Sequence, residues 1–386
     1  LKDLPNLVQA EDLNVAFPLV YWVTKAFAPP TTGNKNLGGT IPDQLIKVDD
    51  THVIYPRNTE YEIFTVNGKR HTLGAIFVLN HKTVLDMGAP PVAPIAERAR
   101  KEGALLELDK HNWPWSMMLV PVMNVDLFEL SNNHVWRTEF GFNNFGLDAP
   151  AYMKLAPIGK WSESDWLHYG FQNYYALLNC GFNLRPTAGT ADGVHPVPLG
   201  FGRVYVFVRG EFTYEKWIEG LSAGRSFVTI GPMLFVRMNE RLAGHRFEGA
   251  KKYRVSGSVV SEQALNRIEV IVNGRIARTI KPQSSRTEAG AFECLFETDL
   301  KIDESSWVTV RCFESRPGGR IRFAHSGVFH VNVPGKPLRP RREEVEFLVR
   351  RMDEQIERSQ GVLSPEAIAE YEKAREIYRE LAKNAR

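Results

Sequence analysis

The apolar positions of this chain change rhythm near residue 245. Before that point short apolar runs alternate with helical patterns. The run HTLGAIFVLN (71–80) is a compact apolar stretch of the kind found in buried strands, and PVAPIAERARKEG (91–103) then reads as a helix that Gly103 stops. ALLEL (104–108) is the next strand. Strand, helix and strand thus follow one another within about 35 residues, which predicts a βαβ unit and a parallel sheet. VDLFEL (125–130) predicts a third strand. Ser162 is placed to cap a helix over 163–180 that sets Tyr174, Leu177 and Leu178 on one face and stops at Gly181. GRVYVFV (202–208) is a further β run, and TYEKWIEGLSAG (213–224) a short amphipathic helix ended by Gly224.

Beyond 245 the runs are short and regularly spaced: YRVSGSVV, RIEVIVNGRIARTI, AFECLFETDL, SWVTVRCFE and GVFHVNV. Asn273-Gly274 is a two-residue hairpin signal, and the whole predicts a small β-sandwich. PGKPLRPRR (334–342) links to two helices. Val345, Leu348, Met352 and Ile356 make the apolar stripe of the first, while Ser364 caps the second and Pro365 takes its first position. The domains expected are therefore an α/β domain over 1–245, a β-sandwich over 246–335 and a helical extension over 336–386.

A length of 386 residues allows two or three domains. The formal charge of +3 is near balance and the basic residues do not cluster, which argues against nucleic acid as a partner. No apolar run approaches the roughly 18 residues of a membrane span, so no membrane anchor is expected. Cys180, Cys294 and Cys312 form neither a disulfide framework nor a CxxC metal motif. The start, LKDLPNLVQAEDLNV, has no initiator Met and no signal-peptide blocks, as expected of a processed or truncated chain.

Several predicted strands run into polar residues at their C-terminal ends: AIFVLN into His81, ALLELDK into His111, and VDLFEL through Glu129 to Asn132, Asn133 and His134. In a (β/α) barrel such ends share one rim. Imidazole and carboxylate are ligands for a borderline divalent metal, so His111, His134, Asp192 and His195 form a candidate cluster. Each has an ordinary alternative: a His past a strand is commonly solvated or bonded to backbone, and Asp192 can cap a turn. Glu60 and Glu62 in NTEYEIF read as solvent-facing positions if that segment is an edge, with Glu62 the alternative metal ligand or general base. Trp113 and Trp115 in HNWPWSMM either line an aromatic pocket or belong to the core. GxGxxG, GxxxxGK[ST] and GxSxG motifs are absent from the sequence, and Cys180 at an apolar helix end is a poor thiolate.

The stretches NYYALLNCGFNLRPTAGTADGVHPVPLGFGRVYV and WIEGLSAGRSFVTIGPML resemble the C-terminal half of the catalytic domain of carbaryl-hydrolase-like proteins, the CehA/McbA family of the PHP superfamily. GALLELDKHNWPWS is similar to the superfamily's strand ending in a metal-binding His, VDLFELSNNH to its strand ending in Glu and Asn, and RFAHSGVFHV to the closing strand of the sandwich. The resemblance implies a distorted (β/α)7 barrel of PHP type followed by a β-sandwich and two terminal helices. It implies one or two divalent ions, Zn, Mn or Fe, at the strand ends. Glu62 would be the central carboxylate, His71 and His111 further ligands, His134 a weaker extension, and Asp192 with His195 the closing pair. The chain departs from the pattern in three places. No HxH occurs in it, and that strand is expected ahead of Leu1. Tyr21, Trp22 and Val23 stand where Thr-Asp-His is expected, and two residues, not one, separate Asp192 from His195.

The function expected is that of a metal-dependent hydrolase in which an activated water attacks a carbamate, ester or amide bond of a small-molecule substrate. His111 and Asp192 would be catalytic, Asp192 also as proton acceptor, and Trp113 and Trp115 would favour an apolar group near the metal. The alternatives are a phosphoesterase of the same superfamily and an inactive barrel whose sandwich binds carbohydrate or protein. The resemblance slightly favours a periplasmic or extracellular location.

Overall fold

The computed structural model describes residues 1–32, 41–132, 134–136, 140, 149–191 and 196–386. It is a mixed α/β chain with seven α-helices and several sheets among the described residues, whose strand pairings close no barrel. Two compact units divide it: Leu1–Glu129 with Pro340–Arg386, and Leu130–Arg339. Among the described residues, no helix is long and apolar enough to cross a membrane.

In the first unit five strands hydrogen-bond side by side in chain order. These are β1 (Tyr21–Lys25), β2 (Thr59–Val66), β3 (Lys69–Leu79), β4 (Leu105–Leu108) and β5 (Leu127–Ser131). β1 runs parallel to β2 and β4 to β5, whereas β2–β3 and β3–β4 are antiparallel. This corrects the parallel βαβ reading of 71–108. The register sets Leu79 opposite Leu105, so residues 80–104, which include helix α1 (Ala93–Glu102), leave and return to the same end of the sheet. Apolar runs report burial but not strand direction, and direction is decided by where the connection ends. β2 also lies between β1 and β3, so it is not an edge, and Glu60 is buried instead of facing solvent.

Side chains directly across neighbouring strands share a face. Trp22, Glu60, Phe77, Glu107 and Leu127 form one such row. Two residues further along each strand, Glu62, Ala75 and Glu129 lie on that face too. The opposite face carries Tyr61, Ile63, Ile76, Val78, Leu106, Leu108 and Phe128, all buried. Helix α1 and helix α2 (Ser116–Met123) pack on β4. The helices over Arg342–Ser359 and Pro365–Lys383 pack on each other and on α2, so the first unit contains both ends of the chain. The Tyr378 hydroxyl donates to the Met117 carbonyl at 2.6 Å. Val92, the N-cap of α1, offers no side-chain acceptor; the Glu370 carboxylate instead accepts the N–H groups of Val92 and Ala93 at 2.8 Å.

The second unit contains a long helix, Glu163–Asn179, started by a reciprocal cap in which Ser162 Oγ accepts from Asp165 N–H and the Asp165 carboxylate accepts from Ser162 N–H. A four-stranded and an eight-stranded sheet follow. Leu234, Tyr253, Val255 and Phe296 from the smaller sheet share a core with Ile268, Val270, Val310 and Cys312 from the larger. Asn273 and Gly274, with φ of 48° and 77°, make the expected hairpin. The run expected among the strands before 245 pairs differently: Arg203–Val206 lies against Ser226–Thr229, which in turn pairs with Ile321–Ser326 in the sandwich's larger sheet.

Candidate functional site

The acid-bearing face of the first unit's sheet is the candidate site. β2 contributes Glu60 and Glu62, β4 and the residues after it Glu107, Asp109, Lys110 and His111, and β5 Glu129. Glu60, Glu107, Asp109, Lys110, His111 and Glu129 are all buried. The turn from β4 into α2 fixes the local backbone, because the Lys110 carbonyl accepts from both the Ser116 hydroxyl and the Trp113 N–H. Gly74 is required beneath this turn: a Cβ there would lie 2.6 Å from Trp115 Cβ.

Lys110 lies among the carboxylates. Its Nζ is ion-paired with Asp109 and stands 3.7 Å from Glu62 Oε1, while Trp22 Nε1–H donates to Glu62 Oε2 at 3.1 Å. The ammonium also lies 5.7 Å from the centre of the Trp113 ring, which meets Phe64 edge-on at 5.5 Å. Burial works against charge on Lys110, but Asp109, Glu60 and Glu62 outweigh it and raise its pKa. Asp109 and Glu129 share a hydrogen bond and titrate as a pair. Burial would lift Asp109, yet the charge of Lys110 and the bond to Glu129 bring it below the ordinary carboxylate range. Glu129 is pushed well above that range by burial and then by the Asp109 charge. Within the pair a proton is therefore held more readily by Glu129 than by Asp109. His111 stacks on Phe128 at 5.6 Å, and burial holds its pKa down at about 4, so the imidazole is neutral and able to act as a ligand.

The structure places Glu62 beside Lys110 on the acid face, sets the ring of His111, which follows Asp109 and Lys110 in the chain, against Phe128, and leaves the other expected residues elsewhere. His71 sits near the hairpin end of β3, four residues and so about 13 Å along the strand from Ala75, the residue opposite Glu62. Its Nε2 is 3.3 Å from Ser359 Oγ, beside Arg358. His81 is bonded through both ring nitrogens, to Thr59 Oγ1 and to the Thr83 carbonyl, each at 2.8 Å. His134 belongs to the second unit, where it is bonded to Asn132 and stacked on Trp166 at 4.2 Å. Asp192 and His195 lie outside the described residues. Trp113 is half-buried beside Lys110, whereas Trp115 is wholly enclosed.

Three residues of the cluster carry no chemical reading in the sequence: Glu107, Asp109 and Lys110; Glu129 is marked there only as a polar residue of its strand. A usable signal was present, since Glu60 with Glu62 and Glu107 with Asp109 are each two apart in predicted β segments and so share a face. Among the described residues, no three His, Cys, Asp or Glu side chains are grouped so as to hold a metal ion. Asp109, Glu60 and Glu62 act together on one buried ammonium, that of Lys110. No protein-family model and no curated protein matches the chain.

Proposed function

We propose that this chain carries the centre of a metal-dependent hydrolase acting on a carbamate, ester or amide bond of a small substrate. The observation that supports the reading is the acid face of the first unit. Carboxylates buried without a compensating cation are costly; Lys110 supplies a positive charge that Asp109, Glu60 and Glu62 share, while Glu107 and Glu129 lie buried on the same face. His111 and Glu62 are the residues proposed to hold the ion, Glu62 oriented by Trp22. The resemblance adds Asp192 and His195. A bound divalent ion would supply a water with a pKa near 7 and a Lewis acid for the carbonyl. Within the proposal the protein orients the donors, keeps His111 neutral and excludes solvent from the carboxylates. The finer architecture, a distorted (β/α)7 barrel of PHP type with the acid face turned inward, belongs to the same proposal.

A second reading has a specific observation in its favour. Lys110 already neutralises part of the cluster, and the described residues assemble no three-ligand group, as a barrel retained only as a scaffold would show. Metal analysis of the purified protein separates the two readings. Retained metal, a melting temperature lowered by chelator, and loss of metal-dependent ester hydrolysis in His111→Ala and His195→Ala support the enzyme. Less than about 0.3 ion per chain with chelator-independent melting overturns it, because a ligand of the native state must stabilise that state.

A further inference from the structure

We infer that the strand Arg275–Ile280, at the outer edge of the sandwich's larger sheet, is a docking edge for an extended acidic peptide segment, which adds to the sheet as one more strand. The inference concerns the second unit and holds whether or not the first unit binds a metal. On one side Arg275–Ile280 pairs with Leu265–Val272, and among the described residues no strand pairs with its other side. In an outermost strand every second residue turns its N–H and C=O away from the sheet, where a further strand can bond to them. The side chains are open as well: Arg275, Ile276, Arg278 and Thr279 are exposed, Ile276 to 51%.

Charge decides the kind of segment. Arg275 and Arg278 stand on this strand and Lys281 just past it, and among the described residues none of the three is ion-paired. Arg278 donates to the adjacent Ala277 carbonyl at 2.8 Å. On the smaller sheet, by contrast, Lys252 meets Asp299, Arg254 meets Glu297 and Lys301 meets Asp303. The register then orders the side chains. Arg275 lies opposite Val272 and Arg278 opposite Val270, which puts both arginines on one face; Ile276 opposite Ile271 and Thr279 opposite Glu269 take the other. Residues three apart in a regular strand would face opposite ways, and the register shift between Val270 and Ile271 is what brings the two arginines to the same side. A strand added along the open side therefore meets cations on one face and an isoleucine on the other. Acidic and apolar residues in alternation match both. A second copy of the same edge would set arginine against arginine, so the chain itself is not the partner.

The test is fluorescence anisotropy of the full chain with a labelled peptide in which Glu and Val alternate. Its comparisons are the Lys–Val peptide, the Glu–Val peptide N-methylated throughout, which keeps the charges but has no N–H donors, and a single-stranded oligonucleotide. The wild type is expected to bind the Glu–Val peptide, more weakly as salt rises, and each comparison at least about tenfold less tightly. Arg275→Gln with Arg278→Gln should weaken binding about tenfold at an unchanged melting temperature. Arg278→Gln alone, with a loss of about threefold, gives the same reading if the double variant does not fold. Absence of saturation up to about 1 mM peptide overturns the inference, as does wild-type affinity in the folded variants. Equal binding of the N-methylated peptide or of the oligonucleotide overturns it too, because charge alone would then suffice. A double variant that dimerises while the wild type ignores the peptide shows that the arginines only guard the edge, and likewise overturns it.

Discussion

Acidifying the protein from about pH 7.5 to about pH 5 should cost the second unit about 2 kcal/mol through His325 alone. His325 is fully buried between the sandwich and the long helix of that unit. Its Nδ1 faces the Ser326 carbonyl at 2.8 Å, and a carbonyl only accepts, so Nδ1 carries the proton. Nε2 then accepts from the Tyr175 hydroxyl at 2.9 Å. Protonating Nε2 would turn this acceptor into a donor and place a cation near Arg311, whose Nη1 is 3.4 Å from the same hydroxyl and whose Nε is paired with Glu269 at 2.7 Å. Burial, opposed by the Ser326 bond and reinforced by Arg311, lowers the His325 pKa to about 3. The unfolded imidazole binds a proton near pH 6.5 and the folded one does not, so stability is complete above that value and falls as pH drops toward 3. At pH 5 the difference has developed over about 1.5 pH units, which gives the figure above. Urea unfolding of the wild type and of His325→Gln at the two pH values measures it. The variant will be less stable at both, but its loss on acidification should be smaller than the wild type's by about 2 kcal/mol. Equal losses in the two proteins would refute the neutral buried imidazole.

Other perturbations test the packing around the site. Glu370→Ala strips the acceptor from Val92 and Ala93 and should cost about 2 kcal/mol by chemical denaturation; a change below about 0.5 would mean that α1 does not need this cap. Gly74→Ala drives a methyl into Trp115 and should lower stability by about 2 kcal/mol or more, with the near-ultraviolet signal of the buried indole altered. Ser162→Ala removes half of the reciprocal cap and should cost about 1 kcal/mol, visible as a shifted denaturation midpoint with an unchanged slope. Under the proposed metal-dependent function, Trp22→Phe, which deletes the donor that orients Glu62, should weaken Mn²⁺ retention about tenfold in a competition titration, while wild-type affinity would show that this bond orients nothing.

What could be read from the sequence alone was governed by residues close together in the chain. Ser162 and Asp165 define a helix start through a bond spanning three residues, and Asn273-Gly274 defines a hairpin through positive φ at two adjacent positions. Val345, Leu348, Met352 and Ile356 reveal a buried helix face by their spacing, and all four are buried. The acid face was half legible: the pairs Glu60–Glu62 and Glu107–Asp109 mark one side of each strand, but not that the two sides coincide. That coincidence depends on the register joining Glu60 to Phe77 and Phe77 to Glu107. Tertiary structure alone decided that β3 and β4 run antiparallel and that Arg203–Val206 joins the sandwich's sheet. It also decided that His71 lies against Ser359 while Lys110 lies among carboxylates. The physical reason is one of range. Capping, turn geometry and periodicity are energies of neighbouring residues, whereas strand direction, burial of charge and the company a histidine keeps are set by segments that meet only when the chain has folded.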